Sequence, residues 1–330
     1  MKILITGVAG LLGSRLADYL VEDPTIEVYG IDDLSGGYIS NVHLKVKFFN
    51  FNLSNQDLDS FFDTNKFDYV FHFAAYAAEG LSPFIRNFNY TNNLISTTNI
   101  VNKCIKYSVK RLVFTSTMAV YGNAYTPPFE ESFIPAPIDP YGIAKTACEA
   151  DIRVAGEQHG LDWCIIRPHN VYGIKQNIWD KYRNVLGIWM YQRLNNLPLT
   201  IYGDGQQTRA FSYIDDCVPY LARAATDPMC SKQIFNMGGD EHITIEAACD
   251  LLREVTDGGE KVFLQQRHEV KNAWVSHNKI KNLMGFKHTT NLKEGLTKMW
   301  EWAKIQPMRE RFVWPSYELD KNIYDFWKLK

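Results

Sequence analysis

Over the first two-thirds of the chain, short apolar runs alternate with stretches whose apolar residues recur every three or four positions. The runs Lys2–Thr6, Glu27–Asp32, Lys45–Phe51, Tyr69–Ala74, Arg111–Thr115 and Trp163–Arg167 predict buried strands. Leu11–Leu20, Ser54–Asp63, Phe88–Tyr107 and Tyr141–His159 carry the helical period. Ser54, with Asp57 three residues on, resembles a capping box and predicts the second helix start there. Strand and helix in turn predict an α/β fold built on a doubly wound parallel sheet. Beyond Gly173 the rhythm weakens. Helical stretches at Val185–Asn195, Asp215–Thr226, Thr244–Val255 and Leu292–Lys304 mix with short strands at Leu199–Tyr202, Gln233–Asn236 and Lys261–Gln265. This predicts a smaller, mixed α/β C-terminal substrate region, 171–330, following a first domain at 1–170, with the chain crossing back between them. The aromatic tail Arg309–Lys330 is expected to pack on the body.

Composition narrows the class. A chain of 330 residues, 46% hydrophobic and 22% charged, is ordinary globular material for one large or two joined domains. Its formal charge of −2 gives no bulk attraction to nucleic acid or a membrane surface. The six cysteines are widely spaced, with no metal-binding pattern, and read as reduced thiols. Met1 leads directly into the first strand, and no apolar run approaches the ~18 residues of a membrane span. A cytoplasmic protein is expected.

Thr6-Gly7-Val8-Ala9-Gly10-Leu11-Leu12-Gly13 lies between the first strand and the first helix. Glycines there permit a tight turn and close approach of backbone to a pyrophosphate, and the helix N-terminus supplies amide donors. Asp32 closes the second strand, 25 residues after Gly7, where a carboxylate accepts from a ribose diol and repels a 2′-phosphate. With no arginine in the Leu34–Gly37 stretch, the expected cofactor is NAD in a Rossmann-like fold, and Asp33 is a turn or cap residue. Downstream, Asp139-Pro140 can open a helix and Gly160 can stop it. On that helix Tyr141 and Lys145 lie one turn apart on one face. An ammonium beside a phenol lowers its pKa, which suits a tyrosine acting as base toward a sugar hydroxyl. Thr115-Ser116-Thr117 ends the fifth strand, at the edge where such sheets bind ligands.

In this order and spacing, the glycine loop, Asp32, His72-Phe73-Ala74-Ala75, Thr117, Tyr141-x-x-x-Lys145, Arg167-Pro168-His169-Asn170-Val171-Tyr172-Gly173 and Gly203-Asp204-Gly205-Gln206-Gln207-Thr208-Arg209 resemble the extended short-chain dehydrogenase/reductase family, in its nucleotide-sugar epimerase/dehydratase branch. The resemblance implies Thr117, Tyr141 and Lys145 as the catalytic set, with Lys145 also on the nicotinamide ribose. It implies NAD contacts at Gly7, Gly10, Leu11, Leu12, Gly13, Asp32, Asp33, Asn52, Leu53, Phe73, Ala74, Ala75, Tyr141, Lys145 and Pro168. Substrate contacts are implied at Thr117, Met118, Asn170, Arg209, Arg267 and Ala273, the two arginines on a diphosphate. Asn93 resembles a conformational support residue. Relatives of this kind commonly dimerise through two helices, here Phe88–Tyr107 and Tyr141–His159.

The residues after Thr117 discriminate among reactions. Dehydratases of this branch carry an Asp-Glu pair where Met118-Ala119 stands, and 3,5-epimerases carry a cysteine where Ala119 stands. The remaining apparatus suffices for 4-epimerisation by transient oxidation, with a UDP-sugar as the expected substrate. The small Ala273 falls where bulk beside the sugar C2 substituent is limited, which leaves an N-acetyl sugar open. A uronate would want cations such as Lys181 and Arg183; a UDP-uronate or GDP-sugar epimerase is the alternative. A non-catalytic NAD-binding sensor on the same fold is the reading from another class.

Overall fold

The computed structural model describes residues 1–328. Six strands follow the predicted rhythm: β1 (Lys2–Thr6), β2 (Glu27–Asp32), β3 (Lys47–Asn50), β4 (Tyr69–His72), β5 (Arg111–Thr115) and β6 (Trp163–Pro168). With a seventh strand, Gln233–Met237, they form one parallel sheet. Its order is Gln233–Met237, β6, β5, β4, β1, β2, β3. The order reverses between β1 and β4, and the crevice above that reversal is where such sheets hold ligands.

Strand alternation decides which side chain faces which layer. Ile3 and Ile5 face α1 (Leu11–Leu20), while Leu4 faces the opposite layer of α2 (Asp59–Asn65), α4 (Ser96–Lys106) and α5 (Pro140–His159). α4 continues from α3 (Arg86–Tyr90) through a π-helical turn, Thr91–Ile95. Two later helices are α6 (Val185–Leu194) and α7 (Ile214–Thr226). The chain crosses back: α7 packs beside α1, and Gln233–Met237 pairs with β6. A division at residue 170 therefore cuts through the unit built on the large sheet. The C-terminal region has its own core, with Trp189, Met190, Leu199 and Ile201 against α8 (Ile245–Val255) and the helix Leu292–Lys304.

The second helix differs from expectation. α2 starts at Asp59 behind Leu58, which offers no side-chain cap. Ser54 instead donates its amide and hydroxyl to Asn52 Oδ1, at 2.9 and 2.6 Å, so the apparent capping box closes a turn before the helix.

Beyond the helix Leu292–Lys304, the tail lies along both regions. Phe312 N donates to Trp179 O, and the Glu318 carboxylate accepts from Asn87 N and Phe88 N at 2.7 and 2.8 Å, serving the start of α3. Tyr324 Oη accepts from His268 N, and Trp327, 1% exposed, is buried among Tyr76, Phe84 and Tyr182.

Candidate active site

Above the carboxyl ends of β1, β2, β4 and β5 lies a cavity of about 420 Å³. Gly7, Gly10, Leu11, Leu12, Gly13, Asp32, Asp33, Asn52, Leu53, Phe73, Ala74, Ala75, Thr117, Tyr141, Lys145, Pro168, Asn170, Arg209 and Arg267 all line it. Met118 and Ala273 do not. Met118 leans on the cluster of Val120, Tyr121, Phe129 and Val275 that buries Ala273, whose strand pairs with that of Arg209. Ala273 is therefore core, and the argument for N-acetyl room loses its support.

The glycine loop is shaped by close approach. Gly7 has φ +73°, and a Cβ there would come within 2.7 Å of Ala74 N. A Cβ on Gly13 would drive into the Gly7 carbonyl. Gly10 caps α1 without any side-chain acceptor, so the first-turn amides face the cavity uncapped. This cradle, with a carboxylate at the end of β2, fits a dinucleotide pyrophosphate and ribose. Asp32 already accepts from Ala9 N and Leu34 N at 3.0 and 2.8 Å, and burial holds its pKa above the usual value. Asp33 accepts from the Ser35 amide and hydroxyl and from Asn52 Nδ2. It is a turn residue, and the Asn52 side chain is committed to that turn. Gly13→Ala is expected to cost about 1–3 kcal/mol by overpacking and to weaken NAD binding; thermal shift with and without NAD measures both, and full NAD-induced stabilisation in the variant would refute the packing argument.

A buried network ties this loop to α5. Thr97 Oγ1 donates to Asn93 O, so it accepts from His72 Nε2 at 3.0 Å. His72 Nδ1 in turn accepts from Thr6 Oγ1 at 2.7 Å, and Thr6 Oγ1 accepts from Ala74 N. Asn93 accepts from Tyr76 N and donates to Tyr76 O, and Asn89 Nδ2 donates to Pro140 O at the start of α5. This is the expected support role of Asn93.

Burial, with Lys145 nearby, lowers the His72 pKa from 6.5 to about 3; burial beside His277 does the same to His169. Below pH ~6.5 the unfolded chain takes up these protons and the folded chain does not until about 3. Folding stability should therefore fall as pH drops through that window, by up to about 1.4 kcal/mol per pH unit for each histidine. Urea unfolding of the wild type and His72→Gln would show a shallower fall in the variant; equal slopes would exclude His72 as a source.

Asp139 and Gly160 bound α5 as expected. Asp139 Oδ1 accepts from Gly142 N at 2.9 Å, and Gly160 has φ +74°. Tyr141 is 8% exposed at the cavity, which Thr117 also lines, its hydroxyl accepting from Ala119 N at 3.1 Å. Its pKa differs from expectation. Burial, then the Glu79 charge, pushes the phenol well above its usual value, against the opposing pull of Thr117 and Arg183. Lys145 donates to Thr115 O at 2.8 Å and lies 4.6 Å from the centre of the Phe114 ring; burial lowers its own pKa to about 8. In the protein alone, Lys145 is thus not the lever on Tyr141 that the helical spacing implied.

At the far end, Arg209 and Arg267 converge on Glu269, at 2.9 and 3.6 Å, and Arg267 stacks 4.2 Å from the Tyr202 ring centre. The shortened Arg267-His268-Glu269 turn still brings both guanidiniums to one wall. Asn170, at φ +39°, donates its amide to Ala210 O, a turn role carried out at the cavity surface. Sequence reading passed over Glu79. It lines the cavity, its side chain open to the lumen yet enclosed by surrounding protein, and burial raises its pKa against the pull of Arg209 and Arg267. No motif marks it; only the 3₁₀ turn Glu79–Phe84 puts it there.

Residues 3–238 match the model of the NAD dependent epimerase/dehydratase family. An uncharacterized UDP-glucose epimerase of Bacillus subtilis is 32% identical, covering 90% of this chain and 96% of its own. The UDP-glucose 4-epimerase of Thermotoga maritima, solved with UDP-glucose, is 31% identical with a TM-score of 0.87, over 92% of this chain and 98% of that one. The UDP-glucuronic acid 4-epimerase of Bacillus cereus, solved with UDP-glucuronic acid and NAD, is 29% identical with a TM-score of 0.85, over 92% and 99%. The chain belongs to the NAD dependent epimerase/dehydratase family.

Proposed function

We propose that this enzyme interconverts UDP-sugars by NAD-dependent 4-epimerisation. The observation that carries this is one cavity that joins the glycine cradle and Asp32 to Thr117, Tyr141 and Lys145, and these to Arg209 and Arg267. The first-turn amides of α1 and the Asp32 carboxylate would hold the dinucleotide, and Lys145 its nicotinamide ribose. When bound, NAD⁺ supplies the hydride acceptor and later donor, together with a positive charge near the phenol.

The protein's own groups do the rest. Arg209 and Arg267 exchange Glu269 for the substrate diphosphate, where rigid forks fix both charge and direction. Thr117 holds the C4 hydroxyl against Tyr141. Tyr141 takes the hydroxyl proton as the carbon is oxidised and returns it after the keto-sugar has presented its other face. Met118 and Ala119 bring no acid to the reacting carbons, which favours inversion at one carbon over loss of water. Incubation with UDP-glucose should yield UDP-galactose with no net consumption of NAD. No turnover with any nucleotide sugar, in protein that retains NAD, would favour the sensor reading instead.

Exposed Ile95, Ile143 and Val154, on the π turn and on α5, support a homodimer through these helices. Light scattering that returns a monomer would dismiss it. No helix of the described residues is long and apolar enough to cross a membrane, and the six cysteines are free and buried, which fits a reducing cytoplasm.

A further inference from the structure

We propose that Glu79 sets which sugars the site accepts: its carboxylate receives hydrogen bonds from a neutral hexose and keeps out nucleotide-linked uronates, an inference that rests on the epimerase reading above. The argument begins with position. Ser82 Oγ donates to Glu79 O at 2.8 Å, accepts from Tyr141 N at 3.2 Å and reaches Asp139 Oδ1 at 3.5 Å. The turn that carries Glu79 is thus fastened to the first residues of α5. The next residue, Gly80, faces the other way along the cavity: a Cβ there would lie 3.4 Å from Arg267 Nη1 and 3.4 Å from Trp327. Glu79 therefore stands between the phenol and the arginines. A hexose with its C4 hydroxyl at Tyr141 and its diphosphate on Arg209 and Arg267 must pass against it.

The second argument is charge. Among the described residues, no hydrogen bond or ion pair within 4 Å engages the Glu79 carboxylate; the arginines pair with Glu269. Once phosphates take Arg209 and Arg267, the other cations of the lining are engaged already, Arg183 by Asp180 and Lys145 by Thr115 O. The two cations considered for a uronate do not serve. Lys181 is absent from the cavity lining, and Arg183, which does line it, is already neutralised by Asp180, whose Oδ2 accepts from it at 2.9 Å, and lies 4.7 Å from the Tyr76 ring centre. Behind Glu79, outside the lining, Asp139 Oδ2 is buried without a hydrogen-bond partner, and burial, then the Glu79 charge, raises the Asp139 pKa to about 7. Hydroxyls suit such a wall as donors. A uronate would set a second carboxylate against Glu79, and like charges so close in a protein cavity are costly.

The test compares wild type and Glu79→Gln on UDP-glucose and UDP-glucuronate. The variant keeps the shape and one acceptor oxygen, exchanges the other for an amide donor and removes the charge. Wild type should favour UDP-glucose in kcat/KM by roughly 100-fold or more, and the variant should narrow that ratio at least ~10-fold, mainly through a lower KM for the uronate. Equal use of both sugars by wild type, or a ratio that Glu79→Gln leaves unchanged, would overturn the assignment. Equilibrium binding of the same two nucleotide sugars separates this failure from that of the epimerase reading. Discrimination in binding that Glu79→Gln relaxes, with no turnover of either sugar, would sink the reaction and leave Glu79 as the selector. Equal binding by both proteins would sink the selector.

Discussion

Replacing Tyr141 by phenylalanine is expected to lower kcat about 10³-fold or more, while NAD stays bound and the fold is unchanged. The ring is 8% exposed and packed by the protein around it, so the substitution removes one oxygen and little volume. That oxygen sits beside Thr117, and among Thr117, Met118 and Ala119 no side chain can replace it as a base. Glu79 is an acid in the same cavity, so the residual rate carries information. A loss of less than ~10-fold would show that Glu79 or water takes the hydroxyl proton and that the tyrosine is not the base. The measurement is steady-state turnover, with bound NAD quantified on the same samples.

Arg167→Met should be the most destabilising single change outside the glycine loop, by about 3–5 kcal/mol in chemical denaturation. The Arg167 and Glu149 side chains are only 2% and 3% exposed, and they meet through two bonds of 2.8 and 2.6 Å. Arg167 also donates to Tyr121 Oη, which donates to Asn236 on the strand Gln233–Met237. Methionine fills much the same space and leaves the Glu149 charge buried without a partner, which is where the penalty arises. Glu149 lies one turn beyond Lys145 on the face that begins with Tyr141, so its loosening disturbs the helix that carries both of them. Adding Glu149→Leu to Arg167→Met should recover most of the loss. A single-variant cost below ~1 kcal/mol would show that water reaches the pair and compensates the charge.

Much of this was legible in the chain, and the reasons are physical. Strands buried on both faces read as continuous apolar runs, so β1, β2, β5 and β6 were placed within a residue. Asp139, Pro140 and Gly160 bounded α5 because each answers a local backbone need. The glycine loop was readable for the same reason: residue 7 needs a positive φ in the turn itself, and residue 13 packs on the Gly7 carbonyl six residues back. Local logic failed where a distant group decided the outcome. Ser54 had the spacing of a cap, but Asn52 claimed its hydroxyl. Tyr141 and Lys145 had the spacing of an acid–base pair, but Thr115 O holds the ammonium and burial sets the phenol. The family resemblance points Ala273 at the substrate, but strand pairing puts it in the core. Glu79 belongs to no repeating pattern, and its significance comes only from the residues that surround it.

The C-terminal tail bears on how the molecule is made. Residues 312–327 cover Tyr76, Phe84 and Phe88, which are synthesised more than two hundred residues earlier. A ribosome adding ~5–20 residues per second would leave that aromatic patch uncovered for ~10 s or longer, even if the sheet around it had begun to pair. During that interval the nascent chain presents a sticky surface beside an unfinished site, a natural target for chaperones. Only the arrival of Trp327 against Gly80, beside Glu79, completes that wall. Chains stopped short of residue 312 would keep Tyr76, Phe84 and Phe88 uncovered.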